Sequence, residues 1–387
     1  MKIFFRRIHL YLGLAAGLVI MVTCFTGAVL VFEPELQQYF HRERYFVPVN
    51  GERKPLADLE SSLRTAAPNI KINGVKVYKD PTRSVEFSFA NPEKKEGKSG
   101  KKPEGGGRKT AFLDPYTGVV LELYNYNDSF FYSMMSLHRW LLKGATGKMI
   151  VGVSTLVFLV ILITGIILWW PKTRNILQQR LTLTWNAGWK RVNHDLHLVL
   201  GFYSALFLFV FAFTGLAWSF EWFNKGIYKV TGTSMQGTKP PVITFKEDQD
   251  LIGFDAVLAT IQPIDPNAVF YSVNAPKDST TPYSVNVLRD NAVHESASDN
   301  YFVDRYTAAV VGTIKWEDRN LGQRVRATFK PVHIASIYGW PSKLIGLIVC
   351  LLGTSFPVTG LIMWINRTRK KRRIERSSAD LADIKAA

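Results

Sequence analysis

The chain has 387 residues, of which 47% are hydrophobic and 20% charged, and its formal net charge at pH 7 is +17. An excess of this size is typical of proteins that bind nucleic acid or a membrane surface. Because the apolar residues gather in four long stretches with basic clusters beside them, the pattern favours a membrane protein and excludes a nucleic-acid-binding one. Cys24 and Cys350 both lie inside apolar stretches, which excludes a disulfide framework and a zinc ribbon.

Each apolar stretch is near or above the ~20 residues that cross a bilayer core. The first is too long for a secretory signal and lacks a small-x-small cleavage pattern, so a retained anchor is predicted. The predicted order is an N-terminus with the first span (1–33), an outer domain (34–145), the second span (146–170), an inner loop (171–193), the third span (194–220), an outer domain (221–339), the fourth span (340–365) and a tail (366–387).

The basic residues indicate the orientation of these spans. Three clusters, at the N-terminus, in the 171–193 loop and in the 366–387 tail, fall on one side of a four-span protein. Short loops rich in lysine and arginine stay in the cytoplasm. The sequence therefore predicts a multi-pass protein with both termini cytoplasmic and two outer domains.

The two outer segments resemble each other. Each begins with a short helical pattern, at 58–67 and 255–261, and continues with alternating runs rich in β-branched residues. Each then reaches a hairpin signature, Asp-Pro-Tyr-Thr at 114–117 and Asp-Arg-Tyr-Thr at 304–307. A tandem duplication of one helix–(α+β)–helix unit is predicted. The Lys/Gly-rich stretch 91–109 is expected to be disordered or a mobile hairpin tip.

Four histidines share this repeat and stand at the starts of the apolar runs. Two offsets align them: 188 places His9 on His197 and Gly13 on Gly201, and 195 places His138 on His333 and Thr164-Gly165 on Thr359-Gly360. Histidine beside lipid is costly unless it has a function. In a four-span protein His9 and His197 lie at one depth and His138 and His333 at another. We refer to them as the 9/197 pair and the 138/333 pair.

Each pair is predicted to supply the two axial ligands of a haem b, giving two haems per chain. Covalent c-type attachment is excluded because CxxCH is absent. Two alternatives stay open: the histidines could face lipid headgroups, and the nearby glycines could serve ordinary helix packing. His194, three residues before His197, could replace it as ligand or contact a haem propionate.

Other charged residues near the spans have two interpretations each. Arg7, Arg139 and Arg191 could pair with haem propionates, although positive-inside or interfacial charge accounts for each of them. Glu33 and Glu221 occupy equivalent positions at the outer ends of the first and third spans. They could tune a haem, bind a proton, touch substrate, or simply be solvated carboxylates at helix ends.

The ordered set of motifs resembles the PepSY-associated transmembrane-helix family. It comprises an arginine-rich start before His9 and Gly13, Asp-Leu-His at 195–197, Leu-His-Arg-Trp-Leu at 137–141 and the repeated D-x-Y-T turn. The resemblance runs from about residue 3 to 369. It implies a bacterial inner-membrane protein with periplasmic PepSY domains, and some members resemble haem-containing ferric-siderophore reductases. Others carry a fused flavodoxin-reductase module, which is not found in this sequence, so the electron donor stays open between quinol and a cytoplasmic reductase.

The resulting hypothesis is an inner-membrane di-haem oxidoreductase that reduces a periplasmic ferric siderophore and releases Fe(II). One rival is a non-redox PepSY binding or regulatory protein without a cofactor. A small-solute transporter is disfavoured because the repeats are parallel and no acidic relay crosses the membrane. Hydrolase motifs such as HExxH and GxSxG are absent.

Overall fold

The computed structural model describes residues 1–90, 109–237, 239–246 and 249–386, with the backbone alone described from residue 371 onward. The chain divides into two compact units. The helical unit comprises Met1–Val31, Met134–Phe220 and Val332–Ala387, and the sheet unit comprises Phe32–Ser133 and Glu221–Pro331. The Lys/Gly-rich stretch expected to be disordered lies outside the described residues, except for Lys109, which begins a strand.

The secondary structure alternates between long apolar helices and short α+β segments. In chain order the helices are α1 (Lys2–Leu30), α2 (Glu33–Phe40), α3 (Arg42–Tyr45), α4 (Leu56–Ala66), α5 (Phe130–Trp140), α6 (Gly144–Trp169), α7 (Arg174–Leu181), α8 (Trp189–Asp195), α9 (Gly201–Ser219), α10 (Glu221–Val230), α11 (Phe254–Ile261), α12 (Leu321–His333) and α13 (Trp340–Ala386). The strands are β1 (Lys71–Tyr78), β2 (Val85–Ala90), β3 (Lys109–Leu113), β4 (Val120–Asn125), β5 (Ala268–Asn274), β6 (Tyr283–Arg289), β7 (Asp299–Val303) and β8 (Val310–Ile314). A π-helical segment, Leu196–Leu200, joins α8 to α9.

Four helices among the described residues are long and apolar enough to cross a membrane: Lys2–Leu30, Gly144–Trp169, Trp189–Ser219 and Trp340–Lys370. All four predicted spans are therefore helical, and the second and third begin earlier than predicted because their N-terminal flanks continue the helix. Large apolar side chains such as Leu18, Ile163 and Leu206 are exposed on the bundle. Apolar exposure on helices of this length is the pattern of a surface in contact with lipid.

Small residues bring the helices of the bundle close together. Helix α1 packs against α6 and α13, and α9 packs against the same two helices. This places α1 and α9 at opposite corners of the bundle. A Cβ added at Gly17 would lie 3.3 Å from Pro357, and one at Gly353 only 2.8 Å from Cys24 Sγ. Close approach at small residues is how helices associate in lipid.

The eight strands of the described residues form one antiparallel sheet in the order β4-β3-β2-β1-β5-β6-β7-β8. The order is symmetric about the β1–β5 pair, in which Val75 lies opposite Val273. The sequence predicted two separate domains at 34–145 and 221–339, whereas the structure joins both segments in the sheet unit. The physical reason is that two separate four-stranded sheets would each leave β1 or β5 as an open edge.

One face of this sheet packs under α4 and α11 to form the core of the sheet unit, which includes Leu59, Leu63, Phe87, Val257 and Val285. Asp255, in the first turn of α11, accepts hydrogen bonds from the backbone amides of Leu56 (2.8 Å) and Ala57 (2.9 Å) at the start of α4. A carboxylate at this position satisfies helix donors that otherwise lack partners. The two short helices predicted from sequence are thus tied to each other.

The predicted hairpins are present and share one turn. Asp114 Oδ1 accepts from the Tyr116 amide at 2.8 Å, and Asp304 Oδ1 accepts from the Tyr306 amide at 2.8 Å. The fifth residue of each turn is left-handed, with φ +79° at Gly118 and +61° at Ala308. Glycine adopts this conformation freely, whereas alanine is strained in it.

Candidate functional site

The structure brings the four repeated histidines together as two pairs inside the helical unit. The ring centroids of His9 and His197 are 6.4 Å apart with an interplanar angle of 85°. Those of His138 and His333 are 6.0 Å apart at 60°. His9 lies on α1, and His197 lies in the π segment before α9. The first pair therefore spans opposite corners of the bundle, and each half of the chain contributes one histidine to each pair.

In the 9/197 pair, each ring is held by a threonine on another helix. His9 Nδ1 lies 3.1 Å from Thr164 Oγ1 and 3.1 Å from the Ile161 carbonyl oxygen, both on α6. His197 Nδ1 lies 2.8 Å from Thr359 Oγ1 on α13. The orientation of each imidazole is thus set by a neighbouring helix.

The 138/333 pair is held in the same way. His138 Nδ1 lies 2.9 Å from the Thr23 carbonyl oxygen and 3.2 Å from Thr26 Oγ1 on α1. His333 Nδ1 lies 2.9 Å from the Phe211 carbonyl oxygen and 3.2 Å from Thr214 Oγ1 on α9. All four threonines share one position, immediately before a glycine in a Thr–Gly dipeptide: Thr26, Thr164, Thr214 and Thr359.

These contacts indicate the tautomer of three of the four rings. Three of the four face a carbonyl oxygen, which can only accept, so Nδ1 must carry the hydrogen. The threonine hydroxyls donate to carbonyls of their own helices, as from Thr26 to Val22 at 2.7 Å and from Thr359 to Ser355 at 3.2 Å. In these three rings the hydroxyl therefore accepts from Nδ1, and Nε2 of the neutral ring keeps its lone pair. This is the form in which histidine binds a metal. For His197 the direction of the bond with Thr359 depends on the tautomer.

The glycine of each Thr–Gly dipeptide makes room for the ring. A Cβ added there would lie 3.1 to 3.3 Å from Cε1 of the bound histidine, at Gly27, Gly165, Gly215 and Gly360. We call each Thr–Gly dipeptide a histidine seat. The sequence showed these dipeptides as landmarks of the repeat, and Gly27 and Gly215 were interpreted as room for a macrocycle or as ordinary helix packing, without a link between the threonines and the histidines. Their number and their repeat register match those of the histidines, which is the signal that could have revealed the seats.

His197, rather than His194, faces His9. His197 lies within the π-helical segment, and such wide turns are frequent at functional sites. His194 Nδ1 instead lies 3.2 Å from Asp195 Oδ1, and half of its side chain is exposed. Asp195 is buried and also accepts from Arg191 Nε at 2.9 Å. Arg191 is thereby paired with a carboxylate of its own helix.

The histidines of the 138/333 pair stand at the ends of α5 and α12, where the backbone turns sharply. Leu141 and Leu142 follow α5 with φ of +50° and +56°, and Ala335 follows α12 with φ +54°. Left-handed non-glycine residues are strained and cluster at functional sites. Burial lowers the pKa of His138, and it lowers that of His333 to about 4. Both imidazoles are therefore neutral near pH 7.

A cavity of about 580 Å³ lies beside the 9/197 pair. Both rings line it, with apolar side chains from all four spans. Its remaining polar lining includes the cations Arg6, Lys190 and Arg367. Ligand sites are typically apolar cavities of this size with a few placed polar groups.

Arg139 lies beside the 138/333 pair, where its charge adds to burial in lowering the pKa of both histidines, whereas two further histidines, His41 and His294, lie in the sheet unit. Arg139 stacks on Trp140, with its guanidinium carbon 5.3 Å from the ring centroid. His41 lies near Glu43, and His294 Nε2 lies 3.2 Å from Thr328 Oγ1 in the sheet unit. Within the described ranges, no group of three or more His, Cys, Asp or Glu side chains converges on a metal position.

Comparison with known proteins identifies the chain's family. A family model described as the PepSY-associated TM region matches residues 6–367, which include every paired histidine and every histidine seat. No curated protein matches the chain at significant similarity. The four apolar helices and this match establish a membrane protein. The chain belongs to the PepSY-associated TM family.

Proposed function

We propose that this protein is a haem b oxidoreductase of the bacterial inner membrane that reduces a periplasmic ferric siderophore. The observation that carries the proposal is the twofold occurrence of two facing histidines whose Nδ1 atoms are hydrogen-bonded. Each pair would bind one haem iron through Nε2, with the macrocycle supplying the other ligands. When bound, each haem would accept and pass on single electrons.

The spacing of the rings supports this fit. A metal–imidazole bond is about 2 Å long and a ring atom lies about 1 Å from its centroid, so two axial imidazoles place their centroids about 6 Å apart. The centroid separations in the structure are 6.4 Å for the 9/197 pair and 6.0 Å for the 138/333 pair. The cavity of about 580 Å³ adds apolar room beside the 9/197 pair.

The chain's own residues would tune and protect this path. The seat threonines hold each imidazole, and partners of this kind raise ligand basicity. Apolar helices around both pairs exclude water, which affects redox potential. The two pairs stand at opposite ends of the spans, so a hydrocarbon core of ~30 Å would be crossed in two stages.

We also propose the orientation and origin given by the sequence. The positive-inside pattern places both termini and the 9/197 pair on the cytoplasmic side, and the sheet unit in the periplasm. The symmetric strand order and the repeated seats support a tandem duplication. The donor would be quinol or a cytoplasmic reductase.

The acceptor follows from the family resemblance and from iron chemistry. One electron passed to the chelated Fe(III) gives Fe(II), and the siderophore itself is unchanged. Siderophore oxygens are hard ligands that prefer Fe(III), so reduction weakens the chelate. The sheet unit would form the receiving surface.

The test is the dithionite-reduced minus oxidised visible spectrum of detergent-purified protein, with haem quantified per chain. We expect low-spin b-type bands and two haems, and one haem after His333→Ala in protein that still inserts. His294→Ala is the matched control and should retain both. No haem in protein made with ample haem supply would refute the redox proposal and favour a non-redox PepSY binding protein.

A further inference from the structure

The cavity beside the 9/197 pair combines an apolar body with cationic residues. Arg6, Lys190 and Arg367 line it, and its described lining includes no aspartate or glutamate. Among the described residues, no carboxylate lies within salt-bridge distance of these three cations, whereas nearby Arg191 is paired with Asp195. The cavity therefore carries uncompensated positive charge.

The three cations come from three different helices and lie near the imidazole rings of His9 and His197. Arg6 precedes His9 by one turn of α1, on the same helix face. Lys190 precedes His197 by seven residues, and Arg367 follows the seat glycine Gly360 by seven residues. At 1.5 Å per residue, seven residues of α-helix extend about 10 Å along the axis.

A buried donor lines the same cavity. Trp169, on the α6 turn that follows the seat glycine Gly165, is 4% exposed. Its ring stacks on Phe202 with centroids 3.6 Å apart and an interplanar angle of 6°. Among the described residues its Nε1–H has no hydrogen-bond partner. Buried donors normally have one, so a bound acceptor is expected here.

We propose that Arg6, Lys190, Arg367 and Trp169 bind the two carboxylates of the macrocycle held by the 9/197 pair. This inference rests on the proposed function and assigns the orientation of that haem, with its carboxylate edge toward the N-terminal end of α1. An apolar macrocycle with two carboxylates matches an apolar cavity with cations on its rim. Arginine forms forked hydrogen bonds with carboxylates, and lysine adds a point charge. The pairs suggested from sequence, with Arg7 and Arg191, are replaced by these residues.

The assignment has an electrochemical consequence. Cations near an iron favour its reduced state, because reduction removes one positive charge from the site. Removing Arg6, Lys190 or Arg367 should therefore lower the midpoint potential of this haem. The haem of the 138/333 pair should keep its potential.

The experiment is a redox titration of Arg6→Gln, Lys190→Gln, Arg367→Gln and the triple variant, each reconstituted with haem b or with its dimethyl ester. With haem b we expect one of the two midpoint potentials to fall in each variant, most in the triple variant. Because the cations act on the iron with either macrocycle, retention of the macrocycle is measured as well: the triple variant should lose haem b from this site faster than the unsubstituted protein does, and should lose the uncharged ester at an unchanged rate. Trp169→Phe keeps the stacked ring and should give a smaller fall with haem b only, and Arg7→Gln is the matched control.

Three other outcomes of this experiment would each have a different meaning. Equal changes in the rates at which haem b and the ester are lost would overturn the assignment, because the cations would then act without the carboxylates. Shifts that require phosphatidylglycerol in the nanodisc, with either macrocycle, would assign the cations to a lipid phosphate instead. Absence of haem from the unsubstituted protein would refute the proposed function itself.

Discussion

The four histidine seats are built alike, whereas the two halves of the sheet unit are stabilised differently. In the first half, Arg44 is buried and lies 3.1 Å from Glu122, with its guanidinium carbon 4.3 Å from the Tyr124 ring centroid. In the second half, Arg289 bridges Asp265 (2.8 Å) and Asp299 (2.7 Å). The two halves nevertheless have mirrored strand orders.

The difference reflects what each feature must do. A sheet core needs apolar packing and satisfied polar groups, and many side-chain sets provide both. A histidine seat must provide, on a facing helix, a hydrogen-bond acceptor for Nδ1 and room for the imidazole ring. Few residue pairs provide both. Glu33 and Glu221 occupy equivalent positions of the repeat but, like the two halves of the sheet unit, have different partners. Glu33 accepts from Gln37 at 2.9 Å, while Glu221 is solvated beside Lys225 at 2.7 Å.

The largest expected effect concerns the networks of the sheet unit. Asp265→Asn should destabilise folding by about 2 kcal/mol, because it removes the charge of a buried carboxylate that binds Arg289, which then keeps only Asp299 as an acidic partner. Asp265 also accepts from the Tyr301 hydroxyl, and its side chain is 10% exposed. Glu122→Gln should cost about 1 kcal/mol, since Glu122 is 39% exposed and screened by solvent. Denaturant unfolding gives the free energy of unfolding of both variants, with Asp250→Asn at an exposed position as the control. Equal losses of stability in the two variants would contradict the predicted difference between the two halves.

The seats should respond to an added methyl group. Gly215→Ala places a Cβ 3.1 Å from His333 Cε1, so the ring must move by a few tenths of an ångström. We expect about 1 kcal/mol lower stability and weaker haem retention. Gly226→Ala, on α10 with nothing within 4 Å of the added Cβ, should be neutral or slightly stabilising. Thermal unfolding of both variants tests this, and equal midpoints would mean that the glycine does not constrain the ring.

Loss of a seat hydroxyl should have a graded effect. Thr359→Val removes the 2.8 Å partner of His197 Nδ1, whereas after Thr164→Val the His9 ring keeps the Ile161 carbonyl. We expect roughly tenfold faster haem loss for Thr359→Val and a smaller change for Thr164→Val. Thr155→Val, which only loses a bond to its own helix, is the control. Transfer of haem to apomyoglobin gives the rates, and the reverse order would contradict this role of the seat.

The smallest expected effect is a difference between Glu33 and Glu221 in how their contributions to stability depend on pH. Burial raises the pKa of Glu33 above its unfolded value of about 4.3, so its contribution to stability falls as pH rises through its native pKa. The hydrogen bond from Lys225 lowers the pKa of Glu221, so that contribution is lost as pH falls. Glu33→Gln should therefore raise the thermal unfolding midpoint, relative to that of the unsubstituted protein, more at pH 7 than at pH 4. Glu221→Gln should lower the midpoint, relative to that of the unsubstituted protein, slightly more at pH 7 than at pH 4. The same direction of pH dependence in both variants would contradict the difference between the two glutamates.

Much of this organisation was predictable from local patterns. The four spans follow from apolar length, and the strands and D-x-Y-T hairpins follow from alternation and turn chemistry. The repeat offsets of 188 and 195 paired the histidines correctly with each other in space. These features depend on residues close together in the chain or on exact repetition.

The choice between His194 and His197 was not predictable, because it depends on a π-helical turn and on the Asp195 bonds. The joining of both outer segments in one sheet depends on edge pairing between β1 and β5, which are far apart in sequence. The seats and the cationic cavity likewise arise where side chains from different spans meet. The sequence by itself determined the elements and the repeated chemistry, because periodicity and turn residues act locally. Only the tertiary structure decided which nitrogen is bound, which histidine faces its partner and where unpaired charge collects, because those outcomes depend on packing between distant segments.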